Sequence, residues 1–191
     1  MDQLALCYLV YLLLVVMRKL KTYELPRLSP EAFQVSKKMP WVLVLDNLRS
    51  MHNVGAAFRI ADAFLMEKVY LCGITGTPPH RELHKTALGA EGHVAWEHAQ
   101  DTLGVIDRLQ AAGYVVVAVE QTDASKALHT FAPLAKQPYA VVFGHEVFGV
   151  QDEVLAACDM CLEIPQHGVK HSLNVSVSMG IVVWELARGV R

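Results

Sequence analysis

The sequence predicts an α/β domain, a mostly parallel sheet flanked by helices. Strand-sized apolar runs and segments of helical periodicity succeed one another from Trp41 to the carboxyl terminus. The apolar runs, such as "WVLVLD" and "YVVVAVE", are continuous rather than alternating, the pattern of strands covered on both faces. Strand and helix take turns, the order that parallel neighbours with crossover helices require.

"WVLVLD" (41–46) is a buried strand by length and content, and "NVGAAFRIADAF" (53–64) repeats apolar residues at helical spacing. "KVYLCG" (68–73) is a second strand ending in glycine. The Pro- and Gly-rich "ITGTPPHRELHKT" reads as loop, followed by a weak strand near "HVAWEH". A helix over 99–112 is closed by Gly113, and strands follow at 114–120 and 139–144. A helix at 151–158, a short strand at 160–165 and a closing helix over 172–188 complete the pattern. Ligands of such sheets sit beyond the carboxyl ends of the strands. The loops to read are therefore 47–53, 73–90, 120–125, 144–150 and 165–172.

Composition narrows the classes. A chain of 191 residues, 53% hydrophobic and 19% charged, is one globular domain with a full core. Its net charge of −2 excludes a uniformly basic nucleic-acid binder. The charge is uneven, however. Residues 17–38 carry Arg18, Lys19, Lys21, Arg27, Lys37 and Lys38 against Glu24 and Glu31, a basic arm on an acidic body and a footprint for a polyanion. Neither G-x-G-x-x-G after the first strand nor a Walker loop is present, which excludes the common dinucleotide and nucleoside triphosphate sites. Cys158 and Cys161 form a lone C-x-x-C without a second pair, so reduced cysteines and a cytoplasmic setting are expected, with no metal. His52, His80, His84, His167 and His171 fall on strand-end loops without metal-ligand spacing.

The uncharged run "LALCYLVYLLLVV" (4–16) is shorter than the ~20 apolar residues of a membrane span and lacks the basic flank of a secretory signal. Residues 1–16 are expected to be an extension outside the functional domain, 17–38 a basic arm and 39–191 the domain itself, with no membrane role.

Three segments on the strand-end loops carry candidate chemistry. In "DNLRSMHNVGAAFR" (46–59), Asn53 is placed to cap the following helix, Gly55 and Ala56 admit a close backbone, and Arg59 lies about two turns in. "VVFGHEVFG" (141–149) runs a strand into glycine, a carboxylate and glycine. In "EIPQHGVKHSLNVSVSMGIVVWE" (163–185) a strand ends at Pro165, and Ser172 and Asn174 lead into the last helix.

Together these segments closely resemble the signature motifs of the SpoU family of RNA ribose methyltransferases, within the knotted SPOUT superfamily. The first motif matches at Asn53, Gly55 and Arg59. The second matches at Gly144, Glu146 and Gly149. The third matches at Ile164, Pro165 and Ser172 to Ser176. The resemblance spans roughly residues 39–188 and includes "HKTALGAE" as a connecting loop. It implies a carboxyl-terminal deep trefoil knot and a helical reading of "HSLNVSVSMG" despite its alternation. Leu173, Val177, Ile181 and Trp184 would then form the helix's packed apolar stripe. It implies S-adenosylmethionine held by Val119, Glu120, Gly144, Ile164, Gln166, Ser172 and Leu173. The implied reaction is methyl transfer to a ribose 2′-hydroxyl, with Arg59 tied to the hydroxyl and Asn53, Glu146, Ser172 and Asn174 arranging the site. A guanidinium is a poor base, so Arg59 reads more safely as a phosphate clamp that orients the ribose.

His145, Val147, Gln166 and Leu65 depart from the residues usual in the family, Leu65 standing where glycine often follows the first motif. The expected enzyme is a homodimer acting on RNA, with tRNA favoured over rRNA. With no separate RNA-binding domain read ahead of the knot, RNA would be gripped by Arg18, Lys19, Lys21, Lys37, Lys38, Lys85 and the dimer cleft. The alternatives are an rRNA 2′-O-methyltransferase, an inactive RNA-binding relative, a base-nitrogen methyltransferase and a small-molecule-binding α/β protein.

Overall fold

The computed structural model describes residues 17–188 of the chain. The expectations for residues 1–16 lie outside the described residues. Seven strands form one sheet: β1 (Met39–Asp46), β2 (Met66–Cys72), β3 (Trp96–Ala99), β4 (Val115–Val119), β5 (Lys126–Ala127), β6 (Tyr139–Phe143) and β7 (Met160–Glu163). Their order is β3-β2-β1-β6-β4-β7-β5. Every neighbouring pair is parallel.

The helices are α1 (Pro30–Val35), α2 (Met51–Ala63), α3 (Arg81–Ala87), α4 (Thr102–Ala111), α5 (Asp152–Ala157) and α6 (Val175–Arg188). The continuous apolar strands have their physical reason in two cores. Leu43, Leu45 and Val141 pack with Phe58 of α2 and Val182 of α6 in one core. Val42, Val44 and Val142 pack with Ile106 of α4 and Val154 of α5 in the other. Both faces of β1 are therefore apolar, whereas a strictly alternating strand would have covered only one.

Four sequence expectations are corrected. The segment read wholly as loop after β2 contains α3. Its turn residues end at Pro79, and Leu83 and Ala87, one helical turn apart, are buried. Glycine makes this packing close, since a Cβ on Gly55 would lie 2.4 Å from the Leu83 carbonyl oxygen. The short strand β5 was also unread; it takes only two residues and pairs with β7. The last helix begins at Val175, so Ser172–Asn174 precede it. Finally, the stripe expected to be packed is exposed: Leu173, Val177, Ile181 and Trp184 face outward, while Met179, Val182, Val183 and Leu186 are buried.

Leu65 adopts φ +54°, a left-handed conformation that disfavours a side chain by about 1–2 kcal/mol. That geometry accounts for the glycine the resemblance leads one to expect there.

The arm is anchored by Phe33, buried against the core with the His93 ring edge-on at 4.9 Å. It enters β1 at the amino-terminal rim of the sheet. β1 is eight residues long, or about 26 Å at ~3.3 Å per residue, so this rim lies a strand's length from the carboxyl ends. Among the described residues no helix is long and apolar enough to cross a membrane.

Candidate active site

A cleft of about 580 Å³ opens at the carboxyl ends of β4, β6 and β7. One wall is the loop after β6. Gly144 sits so close to the returning chain that a Cβ would lie 2.1 Å from Val150 N, and His145 and Gly149 exchange two backbone hydrogen bonds of 2.9 Å. Gly149 has φ +71°, and a Cβ there would meet the Glu120 carboxylate at 2.2 Å. That carboxylate accepts the Val150 N–H (3.1 Å) and the Gln121 N–H (2.9 Å), tying the loop to the end of β4.

Glu146 ties the same loop to α2. Its carboxylate accepts the Arg49 N–H (3.0 Å), the Ser50 N–H (2.9 Å) and the Asn53 side-chain amide (2.8 Å). Burial alone would push its pKa up, but the Arg49, Asn53 and Ser50 donors outweigh this and hold it below the usual carboxylate value. The expected capping role of Asn53 is therefore corrected. Ser50 caps α2 by accepting the Asn53 N–H (3.4 Å), which frees the buried Asn53 side chain for Glu146.

Beneath them the buried carboxylate of Asp46 accepts from Thr102 Oγ1 (2.5 Å), Asn47 Nδ2 (3.1 Å) and the Gln151 N–H (3.1 Å). It joins the end of β1 to the starts of α4 and α5. Sequence reasoning missed this residue, although a carboxylate ending an apolar strand was the signal that could have found it.

The facing wall runs from Ile164 to Val175. Asn174 caps α6: its Oδ1 accepts the Ser176 N–H (2.8 Å) and hydroxyl (2.6 Å), and its carbonyl accepts the Ser178 N–H (3.0 Å). The cap uses the side-chain carbonyl oxygen and leaves the amide's N–H₂ donors without a partner among the described residues. Gln121 reaches across to donate to the His171 carbonyl at 2.8 Å.

The structure brings most predicted residues together. Val119, Glu120, Gly144, Ile164, Gln166, Ser172 and Leu173 all line the cleft, as do Glu146 and Asn174. Asn53 stands behind Glu146. Arg59 does not line the cleft; it is exposed on α2 and has no hydrogen-bond or ionic partner among the described residues. Lining residues that the sequence reading did not single out include Asp152, Glu163 and Phe148. Four carboxylates line the cleft (Glu120, Glu146, Asp152 and Glu163) and no lysine or arginine does.

The basic candidates are dispersed. Arg18 is engaged with Glu24 through two contacts (2.9 and 2.8 Å), while Lys19, Lys21 and Lys37 are exposed. Lys85 is paired with Glu82 at 2.7 Å. Lys38 is used by the fold rather than held free: its ammonium contacts the Phe33 carbonyl and lies over the Phe33 ring, and burial lowers its pKa. Lys37 and Lys38 also sit at the rim opposite the cleft. Burial raises the Cys158 thiol to about 12, which leaves the lone C-x-x-C without a thiolate at neutral pH. No cluster of metal-binding side chains occurs among the described residues.

The chain resembles known proteins over most of this domain. Residues 40–184 match the model of the SpoU rRNA Methylase family. The 23S rRNA (guanosine-2′-O-)-methyltransferase RlmB of Nitrosomonas europaea is 33% identical over 147 residues, covering 77% of this chain and 55% of that protein. The chain thus spans little more than half the length of that relative. An AdoMet-bound rRNA methyltransferase from Sinorhizobium meliloti superposes with a TM-score of 0.72 at 28% identity, over 80% of this chain and 57% of that one. A structure concerned with the 2-OH methylation of C/U34 on tRNA gives a TM-score of 0.70 at 25% identity, over 79% of this chain and 97% of that one.

Proposed function

The chain belongs to the SpoU rRNA methylase family, and from that premise we propose that it is an S-adenosylmethionine-dependent RNA 2′-O-ribose methyltransferase. The observation that carries the reading is that the second and third motifs line one cleft while the first is bonded to it from behind through Asn53. Asn53 is hydrogen-bonded to Glu146 across 93 residues of sequence, and Ser172 and Asn174 face them from the opposite wall.

The cleft suits the cofactor. Its volume lies in the range of small-molecule sites, and strand-end backbone groups at Val119, Gly144 and Ile164 alternate with apolar side chains. Four carboxylates without a counter-cation favour a positively charged ligand, and S-adenosylmethionine would supply a methyl group activated on a cationic sulfur. In the transfer a bond forms from ribose oxygen to carbon as the carbon–sulfur bond breaks. The sulfur keeps the electron pair, and the hydroxyl proton passes to a base or to water. The chain's task is to hold that oxygen in line. Asn174 presents its amide donors, and Glu146 fixes the α2 entrance through Arg49, Ser50 and Asn53.

The same acidic lining repels phosphate, so the RNA backbone must be held by residues outside it. Arg59, free and exposed on α2, is such a phosphate clamp, and it belongs to a neighbouring subunit's cleft in the homodimer we propose. The exposed stripe Leu173, Val177, Ile181 and Trp184 supports that dimer, and the Trp184 ring lies beside Phe64, the residue that follows α2, at 6.4 Å. A knotted path is part of the same reading. The chain leaves β7 on one side of the sheet and reaches α6 packed against α2 on the other, passing the cleft loops. tRNA is the favoured substrate, supported by the tRNA-directed relative whose length this chain nearly spans. The free described cysteines suit a reducing cytoplasm.

The test is methyl transfer from labelled S-adenosylmethionine to unmodified RNA, followed by nucleoside analysis. A 2′-O-methyl nucleoside made by the wild type, and lost in Asn174→Ala and Arg59→Ala, is expected. A methylated base, or cofactor binding with no transfer to any RNA, would overturn the reading.

A further inference from the structure

Phe148 is 84% exposed and its neighbour Val147 is 76% exposed, yet both sit on the wall of the cleft. An isolated exposed apolar residue needs no explanation, but this one is held rigidly. The loop that carries it is closed by the His145–Gly149 backbone pair, tied to β4 through Glu120 and tied to Asn53 of α2 through Glu146. Within it, His145 Nδ1 accepts the Val147 N–H at 3.0 Å and the Phe148 N–H at 3.4 Å, fixing the imidazole. The His145 and Phe148 ring centroids lie 4.9 Å apart with planes inclined by 33°. One face of Phe148 is thereby backed by a second ring, and the ring as a whole remains largely open to solvent.

We propose that Phe148, backed by His145, is the stacking platform for a nucleobase of the RNA at the methyl-transfer cleft. The inference rests on the RNA methyltransferase reading above and adds to it the part of the substrate this wall recognises. Flat apolar faces are what a base offers, and every base offers one, so an exposed aromatic ring beside the reaction centre is matched to it. The wall's chemistry excludes the other parts of a nucleotide as its main target. It carries no lysine or arginine for phosphate, and its loop N–H groups at Val147, Phe148, Gly149 and Val150 are already engaged. A ribose presented to the cleft must also be held against rotation about its backbone. A stacked base does this without competing for the polar groups that face the sugar.

Base–aromatic stacking is worth about 1–3 kcal/mol per base, so loss of the ring should weaken RNA binding by roughly 5- to 150-fold. The experiment compares wild type with Phe148→Ala, Phe148→Leu and Phe148→Tyr, using a pool of unmodified tRNA transcripts. It reads the RNA Kd, the RNA KM and kcat, the S-adenosylmethionine Kd and the mass in solution. The alanine and leucine variants should raise the RNA Kd and KM about fivefold or more and lower kcat at saturating RNA as the ribose loses its orientation, with cofactor Kd and mass little changed. Tyrosine should restore the affinity. Wild-type affinity in the leucine variant would overturn the proposal, since bulk rather than stacking would then suffice. A parallel rise in cofactor Kd would make the ring a cofactor wall, and a fall in mass would make it a subunit contact; either overturns it. RNA binding that depends on the ring without any methyl transfer would keep the platform and overturn the reaction. A wild type that neither binds nor methylates RNA would overturn both.

Discussion

The two walls of the cleft are built in opposite ways. Residues 144–150 are held by the His145–Gly149 pair, by Glu120 and by the three donors on Glu146. Residues 166–173, across the opening, accept one hydrogen bond among the described residues, from Gln121 to the His171 carbonyl, and nearly all are exposed. Fixing one residue's backbone costs roughly 1–2 kcal/mol. The first wall has met that cost in folding, and the second leaves it to the bound ligand. The chain therefore preorganises the carboxylate side of the site and keeps the Ser172 side adjustable.

Substitution at glycine separates the walls most sharply. Gly144→Ala would drive a Cβ into the Gly149–Val150 backbone, and a loss of at least about 3 kcal/mol or failure to fold is expected in urea denaturation. Amide hydrogen exchange should divide them next. Residues 167–173 should exchange quickly alone and slow by about tenfold on adding S-adenosylmethionine, whereas 145–150 should change less than threefold. Equal slowing of both segments would erase the distinction.

Glu146→Gln keeps the shape of the first wall and removes its charge; about 1 kcal/mol of stability should go. The pH dependence has a definite sign. The folded carboxyl sits below its unfolded value of ~4.3, so its contribution is present above that value and disappears as pH falls through the folded one. Wild type and variant should differ at pH 6–7 and converge only once the pH has fallen below the folded carboxyl's depressed value. Asn174→Ala should cost about 1 kcal/mol through the lost cap, while Asn174→Ser should keep most of that stability and still lose transfer. Gly168→Ala should be the mildest, within about 0.5 kcal/mol, since a Cβ there meets nothing within 4 Å.

Most of the sheet was legible because burial on both faces writes itself as uninterrupted apolar runs. β5 was not, because two residues carry no pattern, and α3 was hidden behind the turn residues that precede it. In the site, glycines and carboxylates at strand ends marked the first wall well. The second wall misled: Asn174 is a capping residue as well as a cleft residue, and an apolar stripe on α6 reads the same whether it faces the core or the outside. Only the count of helical faces already buried, Met179 to Leu186, tells them apart. Lys38 likewise looks like any arm lysine until Phe33 is found beneath it.

The Asp46 cluster has a consequence for when this protein becomes competent. Thr102 lies 56 residues from Asp46 and Gln151 lies 105 away, so the carboxylate at the end of the first strand waits for partners made much later. Contacts of such separation close late because the intervening loop entropy must be met first. A chain still emerging from the ribosome can assemble β1, α2 and β2, but it has no cleft until the stretch from 144 to 178 has been synthesised. Nascent chains halted anywhere before that point should leave the cofactor pool untouched.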